Sequence, residues 1–256
     1  MAMPLADPRP TLTFVSDIHL GGSPEHEEGV KRERFFALLD RVGEEGGSLY
    51  ILGDLFDFWF EYRSVIPRAA VGAIARLDSL ARGGSPVRFL GGNHDFWLAD
   101  FLKRETAIEV LPDGSDVSAQ GKTVRLFHGD GQGPGDHGYK VLKRVVRNPL
   151  AIGLFRWVHP DLGIPFALWT SGTSRHHTAD RAVDVESIYR HVGAPALGNG
   201  ADAVLVGHHH VARHLRRGEG EMIFLGDWFR QFTCARLVNG QLALWRWPLD
   251  DTVPTE

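Results

Sequence analysis

Five short segments of the chain gather aspartate, histidine and asparagine: Asp17-Ile18-His19, Gly53-Asp54, Gly92-Asn93-His94-Asp95, His128-Gly129-Asp130 and Gly207-His208-His209-His210. Their side chains offer nitrogen and oxygen donors, which suit borderline or hard divalent ions. Thiolate plays no part, since the single cysteine, Cys234, lies outside these segments. One ligand from each evident position gives Asp17, His19, Asp54, Asn93, His128, His208 and His210. That set is too large for one catalytic ion that must keep an open position. It suits two ions that share a carboxylate, roughly 4 Å apart, clamping the attacking and leaving oxygens of a phosphoryl displacement. His209 points away from its neighbours if its segment is extended, so it is left out of the set. A lone Asp-x-His or His-x-His is a weak signal. Five clusters, each closing an apolar run, are hard to obtain from packing alone.

The segments need strands that end in one place. Short apolar runs at 11–16, 48–52, 87–90, 123–127 and 203–206 read as buried strands, and each stops at one of the five clusters. Helical periodicity covers 29–42, through Val30, Phe35, Leu38, Leu39 and Val42, and a second helix is expected over 69–81. Buried strands alternating with helices imply an α/β sheet covered on both faces. Ligands of such sheets bind outside the carboxyl ends of the strands, where the clusters would meet. From 211 to 247 the pattern changes to short strands with turns at 217–220 and at Asn239-Gly240, a hairpin signal.

Composition excludes several classes. Lys+Arg 28 against Asp+Glu 32 leaves a net charge of −4, which argues against sequence-independent nucleic-acid binding. Hydrophobic residues at 43% and charged residues at 23% fit a soluble globular chain rather than a disordered one. One cysteine fits a reducing compartment. Residues 1–10 show no basic run followed by an apolar one, so no secretory signal is expected there. The most apolar stretch, 145–169, is interrupted by Arg147, Pro149, Arg156, Pro160, Asp161 and Pro165 and reads as no membrane span.

Taken together, Asp17-x-His19, Gly53-Asp54 with Asp57, Gly92-Asn93-His94-Asp95, His128-Gly129 and Gly207-His208-x-His210 resemble the signature set of the calcineurin-like metallophosphoesterases. The resemblance implies an α/β fold, a four-layer αββα sandwich with two facing sheets. It implies two divalent cations, first of all Mn2+, with Fe, Zn and Co suited to the same donors. Asp17, His19 and His210 would hold one ion, Asn93, His128 and His208 the other, and Asp54 would bridge. His94 is expected to protonate the leaving oxygen or hold a phosphate oxygen. Asp95 is expected to orient that imidazole through its second nitrogen. Asp57 and Asp130 are expected to support or cap rather than to ligate.

From 129 to 201 the strand rhythm is lost, far beyond an ordinary connection. Residues 131–200 read as a helical lid inserted within a single domain spanning 1–256. Lys140, Lys143, Arg144 and Arg147 fall on one face of a helix, with Val141, Leu142, Val145 and Val146 on the other. Apolar and aromatic residues follow, from Leu150 to Trp169. The pattern suits a membrane interface with cations toward lipid phosphates, a pocket for acyl chains, or a lid packed on the core.

Phe56-Asp57-Phe58-Trp59, His128-Gly129-Asp130 with Asp136 and Tyr139 downstream, and Leu225-Gly226-Asp227-Trp228 resemble the UDP-2,3-diacylglucosamine pyrophosphatase family of lipid A synthesis. That resemblance implies water attack on the pyrophosphate, releasing UMP and 2,3-diacylglucosamine 1-phosphate. It implies substrate contacts at Asn93, His94, Asp136, Tyr139, Ser174, Thr178, Arg181 and His208. Thr178 stands where an amide is usual and Arg181 where Lys is usual. His94 stands where the best-known members carry Arg, and unlike Arg it can give up a proton. The expected partner is a nucleotide-linked lipid, with transient membrane-surface contact through the lid. No nucleic acid and no obligate protein partner are expected. The expected location is cytoplasmic, peripheral at the inner membrane. Two other readings stand beside this one: a phosphoesterase acting on a soluble nucleotide or phosphoprotein, and a non-catalytic binding module of the same fold.

Overall fold

A computed structural model describes residues 10–132, 137–178 and 183–256, with the backbone alone for 137–140, 142 and 170–178. Strands β1 (Leu12–Val15), β2 (Ser48–Leu52), β3 (Val87–Leu90) and β4 (Glu109–Leu111) run parallel side by side. Strand β10 (Thr233–Val238) pairs antiparallel with β1, followed by β11 (Gln241–Arg246) and β12 (Asp251–Thr252). The second sheet places β6 (Lys122–Phe127), β7 (Ala203–Val206) and β9 (Gly220–Leu225) in parallel. Its edges are β5 (Ser115–Ala119) and β8 (Ala212–Arg217), both antiparallel to their neighbours.

The apolar runs explain the layers. Successive side chains of a strand point to opposite faces. Leu12, Phe14, Tyr50 and Leu52 therefore meet Val124, Leu126, Ala203 and Leu205 between the sheets. Val15, Leu49, Ile51, Val87 and Phe89 face α1 (Glu25–Glu44) and α2 (Val71–Arg82). Helix α1 buries Phe35, Leu38, Leu39 and Val42, an i, i+3, i+4, i+7 stripe. Val204, Val206, Met222 and Phe224 on the far side of the second sheet pack on Ile188, Val192 and Ala196. The order is helix, sheet, sheet, helix, as expected.

The expected strands at 48–52, 87–90 and 203–206 match β2, β3 and β7. Helix α1 begins ahead of the expected 29, because its first turn is Glu25, Glu27 and Glu28. Those carboxylates favour the helix N-terminus through charge and carry no apolar period to read. Helix α3 (Phe101–Glu105), β4 and β5 were not expected. Strand β5, Ser-Asp-Val-Ser-Ala, is a polar edge strand whose identity comes from its pairing with β6.

The expected lid over 131–200 needs correction at its far end. Helices α7 (Val185–Ile188) and α8 (Ala194–Gly198), with the π-helical turn Tyr189–Gly193 between them, form the fourth layer of the sandwich. Helices α4 (His137–Val146), α5 (Pro149–Phe155) and α6 (Pro160–Thr178) precede that layer in the chain, between β6 and β7. Phe155 packs against Phe58, Phe60, Tyr62 and Trp97. Among the described residues, no helix is long and apolar enough to cross a membrane.

Beneath the second sheet, buried Glu221 accepts from His214 Nε2 at 2.9 Å and from Lys122 Nζ at 2.9 Å. Burial raises the Glu221 pKa, but His214 and Lys122 outweigh it and hold the group at about 2, against an ordinary 4.5. A depressed carboxylate stabilises the fold above its unfolded pKa and loses that effect as pH falls through its folded one. The melting temperature of the wild type should therefore exceed that of Glu221→Gln by several degrees at pH 6. The gap should close between pH 5 and pH 2; a gap independent of pH would contradict the ionised assignment.

Candidate metal centre

All five segments follow carboxyl ends of strands: β1, β2 and β3 in one sheet, β6 and β7 in the other. Parallel neighbours release their chains at the same rim, so the loops touch. Asp17 N donates to Gly53 O at 3.2 Å and His19 N to Asp54 O at 2.9 Å. His208 N donates to Asp17 Oδ2 at 2.8 Å, and His128 Nδ1 lies 2.8 Å from Leu52 O; both contacts join the two sheets.

The loops hold their ligands by unusual backbone. Asp17, His19, Asp54, His208 and His210 have φ between +50° and +63°, the left-handed region. Outside glycine such conformations cost about 1–3 kcal/mol each and persist where surrounding structure enforces them. Close approach does the enforcing. A Cβ on Gly207 would stand 2.0 Å from Ser16 Oγ and 2.8 Å from Asp17 Oδ2, so only glycine lets the two loops meet.

Three groups of donors result, each with ligand atoms within 4.8 Å of one another: Asp17, His19 and His210; His19, Asp54 and His94; Asp54, His128 and His208. His210 Nε2 is 3.2 Å from Asp17 Oδ1 and 3.4 Å from His19 Nε2. Asp54 Oδ2 lies 3.6 Å from His19 Nε2 and 3.5 Å from His128 Nε2, so it stands between the first and third groups. Asn93 Oδ1 is 3.0 Å from His128 Nε2. All seven expected donors are thus brought to one rim, and His209 belongs to none of the groups.

The chemistry of the pocket fits cations. Asp17 Oδ1 is buried and accepts no hydrogen bond. Burial raises the Asp17 pKa, but His210 and His128 outweigh it and hold the group at about 2. Burial also opposes ionisation of Asp54, which His128 and His94 nevertheless pull well down. Burial, with His128 beside it, lowers His208 to about 3, leaving the neutral imidazole that ligation requires. Burial works against a charged His128 too, yet Asp54 and Asp17 push its pKa up.

The expected role of Asp95 is corrected. Asp95 is fully buried, and both of its carboxylate oxygens accept from backbone amides. Its Oδ1 accepts from Gly92 N at 2.7 Å and Asp54 N at 3.1 Å, its Oδ2 from Leu55 N at 2.7 Å and Phe56 N at 3.3 Å. It fastens the loop after β3 to the loop after β2. The second nitrogen of His94 is met by Asp57: its carbonyl oxygen is 2.9 Å from His94 Nδ1, and its carboxylate is 3.2 Å from His19 Nδ1. The Gly53-Asp54…Asp57 spacing in the sequence carried that signal.

Asp130 is buried and ties α4 to the rim. Lys143 Nζ sits 2.6 Å from Asp130 Oδ2, and Arg147 lies 3.6 Å from the same oxygen and 3.5 Å from Gly92 O. These cations therefore face inward, while Val141 and Val145 on the same helix are exposed. The helix is amphipathic as expected, with Lys143 and Arg147 engaged by Asp130 and Gly92. Asp136 and Arg181 lie outside the described residues, as do the side chains of Tyr139, Lys140, Ser174 and Thr178.

A family model described as calcineurin-like phosphoesterase matches residues 10–212, which include every donor of the rim. The chain belongs to that family. It is 32% identical over 240 residues to the UDP-2,3-diacylglucosamine hydrolase of Porphyromonas gingivalis, covering 87% of this chain and 92% of the relative. It is 32% identical over 227 residues to the protein of the same name from Pseudomonas aeruginosa, covering 86% and 92%. Among solved structures, Yfce, a phosphoesterase from E. coli, shares the fold at a TM-score of 0.50 and 18% identity, covering 95% of this chain and 97% of that one.

The inward ion pairs predict how α4 is held. Asp130→Asn should release Lys143 and Arg147 and speed amide hydrogen exchange in α4 by about tenfold, leaving β6 unchanged. Equal exchange in α4 would show that other contacts dock it.

Proposed function

We propose that this chain hydrolyses the pyrophosphate of UDP-2,3-diacylglucosamine, giving UMP and 2,3-diacylglucosamine 1-phosphate. The observation that carries this reading is the convergence of seven nitrogen and oxygen donors at a rim flanked by exposed apolar helices. The names of the relatives, at 32% identity over most of the chain, support the substrate.

Asp17, His19 and His210 would hold one divalent ion, Asn93, His128 and His208 a second, with Asp54 shared. Mn2+ suits these hard and borderline donors. Bound there, the ions supply Lewis-acid activation of water and neutralise phosphate charge. His94 stands beside the shared Asp54, Nε2 to Oδ2 at 3.9 Å. With Nδ1–H directed at the Asp57 carbonyl, Nε2 of the imidazolium is the atom that delivers a proton to the leaving oxygen. Asp57 positions both His94 and His19. Asp95 holds the backbone on which Asp54 and Asn93 are mounted.

Leu150, Leu154, Trp157, Leu162, Phe166 and Trp169 on and beside α5 and α6 are 59–82% exposed. Apolar residues clustered at this exposure mark a binding surface. Helices α4 to α6 act as the lid: they receive the acyl chains and rest on the membrane surface that supplies the lipid. Asp136, Tyr139, Ser174, Thr178 and Arg181 contact the substrate from the lid.

Metal-reconstituted protein should hydrolyse a UDP-linked diacyl sugar far faster than simple nucleotide phosphodiesters; the reverse preference would overturn the substrate. Asp54→Ala should abolish turnover and lower bound metal, whereas full activity would remove its shared role. Leu154→Asp with Trp157→Asp should weaken partition onto phospholipid vesicles at least about tenfold, since each exposed apolar group inserted adds about 1.5–3 kcal/mol. Unchanged partition would exclude this surface as the lipid contact.

A further inference from the structure

The loop after β9 leads to a second wall of the rim. Asp227, 1% exposed, accepts through Oδ1 from Phe229 N at 3.2 Å, Arg230 N at 2.7 Å and Gln231 N at 3.0 Å. The Gln231 amide group donates to His210 O at 2.7 Å and to Asp227 Oδ2 at 2.9 Å. Trp228 N donates to Asp17 O at 3.1 Å. The turn is thereby fastened to Asp17 and His210, two of the donors proposed for one ion.

That rigid turn presents an aromatic ring and a guanidinium. Phe229 is half-buried, with its ring edge-on to His210 at 5.3 Å and to His19 at 5.9 Å. Arg230 is exposed, its guanidinium 5.7 Å above the Phe229 ring. The helical insertion joins the other half of the centre, through Lys143 to Asp130, Arg147 to Gly92 and Trp97 Nε1 to Val146 O at 3.1 Å. The donors therefore have an apolar flank and an aromatic, cationic flank.

We propose that Phe229 and Arg230 form the nucleotide subsite, in which Phe229 stacks on the pyrimidine and Arg230 holds the 5′-phosphate. This rests on the nucleotide-linked substrate proposed above. A substrate with a lipid on one side of its diphosphate and a nucleoside on the other needs two unlike flanks. The base is its one moiety with a π-face, and an aromatic ring carried on a fixed turn receives it at small entropic cost. A planar guanidinium matches phosphate oxygens in a bidentate fashion. When a base takes its place over the ring, Arg230 is free to turn toward the phosphate, because its side chain is exposed.

Titration calorimetry of metal-loaded protein with UMP, with ribose 5-phosphate and with inorganic phosphate tests this. Wild type should bind UMP more tightly than ribose 5-phosphate. Phe229→Ala should weaken UMP by about tenfold, leave ribose 5-phosphate unchanged, and be rescued by Phe229→Tyr. Arg230→Ala should weaken UMP and ribose 5-phosphate alike. Phe229→Leu keeps the apolar contact with His19 and His210 and serves if the alanine variant fails to fold; it too should weaken UMP. UMP affinity unchanged in the Phe229 and Arg230 variants, with wild type still turning over the UDP-linked lipid, would overturn the subsite alone. Absence of that turnover in wild type would overturn the substrate reading beneath it.

Discussion

Four carboxylates, those of Asp17, Asp54, Asp57 and Asp95, lie around one rim with each residue at most 1% exposed. Burying like charges so close together is very unfavourable unless positive or donor groups answer each one. The protein answers them in two ways. Asp95 takes four backbone amides, and Asp57 takes the His19 ring. Asp17 and Asp54 each take one backbone amide and meet imidazoles as well, and Asp17 keeps one oxygen without a hydrogen bond. The two carboxylates satisfied from within are those that position other groups. The two that meet imidazoles are those proposed above to hold the ions.

The rest of the fold reads as support for that arrangement. Parallel strands deliver their loops to the same edge, and two sheets back to back double the number of loops available. Left-handed backbone at five donor positions is held by contacts between loops rather than by local preference. A shift in either sheet would therefore move several donors together. The outer helical layers cover the two sheets, and Lys31 of α1 also reaches the rim by donating to His19 O.

Helices α4 to α6 follow a different logic. Lys143 and Arg147 turn inward to Asp130 and Gly92, while Leu150, Leu154, Trp157, Leu162, Phe166 and Trp169 are exposed. Apolar side chains exposed in this way suit the lipid-facing role proposed for these helices. The other flank, with Phe229 and Arg230, has a different character, built from hydrogen bonds around Asp227.

Much of this was legible in the chain itself. Apolar runs of four to six residues, each closed by a cluster of Asp, Asn or His, marked β1, β2, β3, β6 and β7, because a buried strand needs continuous apolar faces and a ligand needs its end. The seven donors followed from residue type and position. Three things were not legible. Asp57, rather than Asp95, faces His94, since which carboxylate reaches a ring depends on how the loops cross. Residues 185–198 read as part of an insertion because short amphipathic helices look alike until a sheet face claims them. The inward turn of Lys143 and Arg147 depends on a buried Asp130 across the gap. Residue types and spacing alone thus determined which donors exist and that they sit at strand ends. Only the tertiary structure decided their partners and which way α4 faces, because those depend on distances between segments remote in sequence.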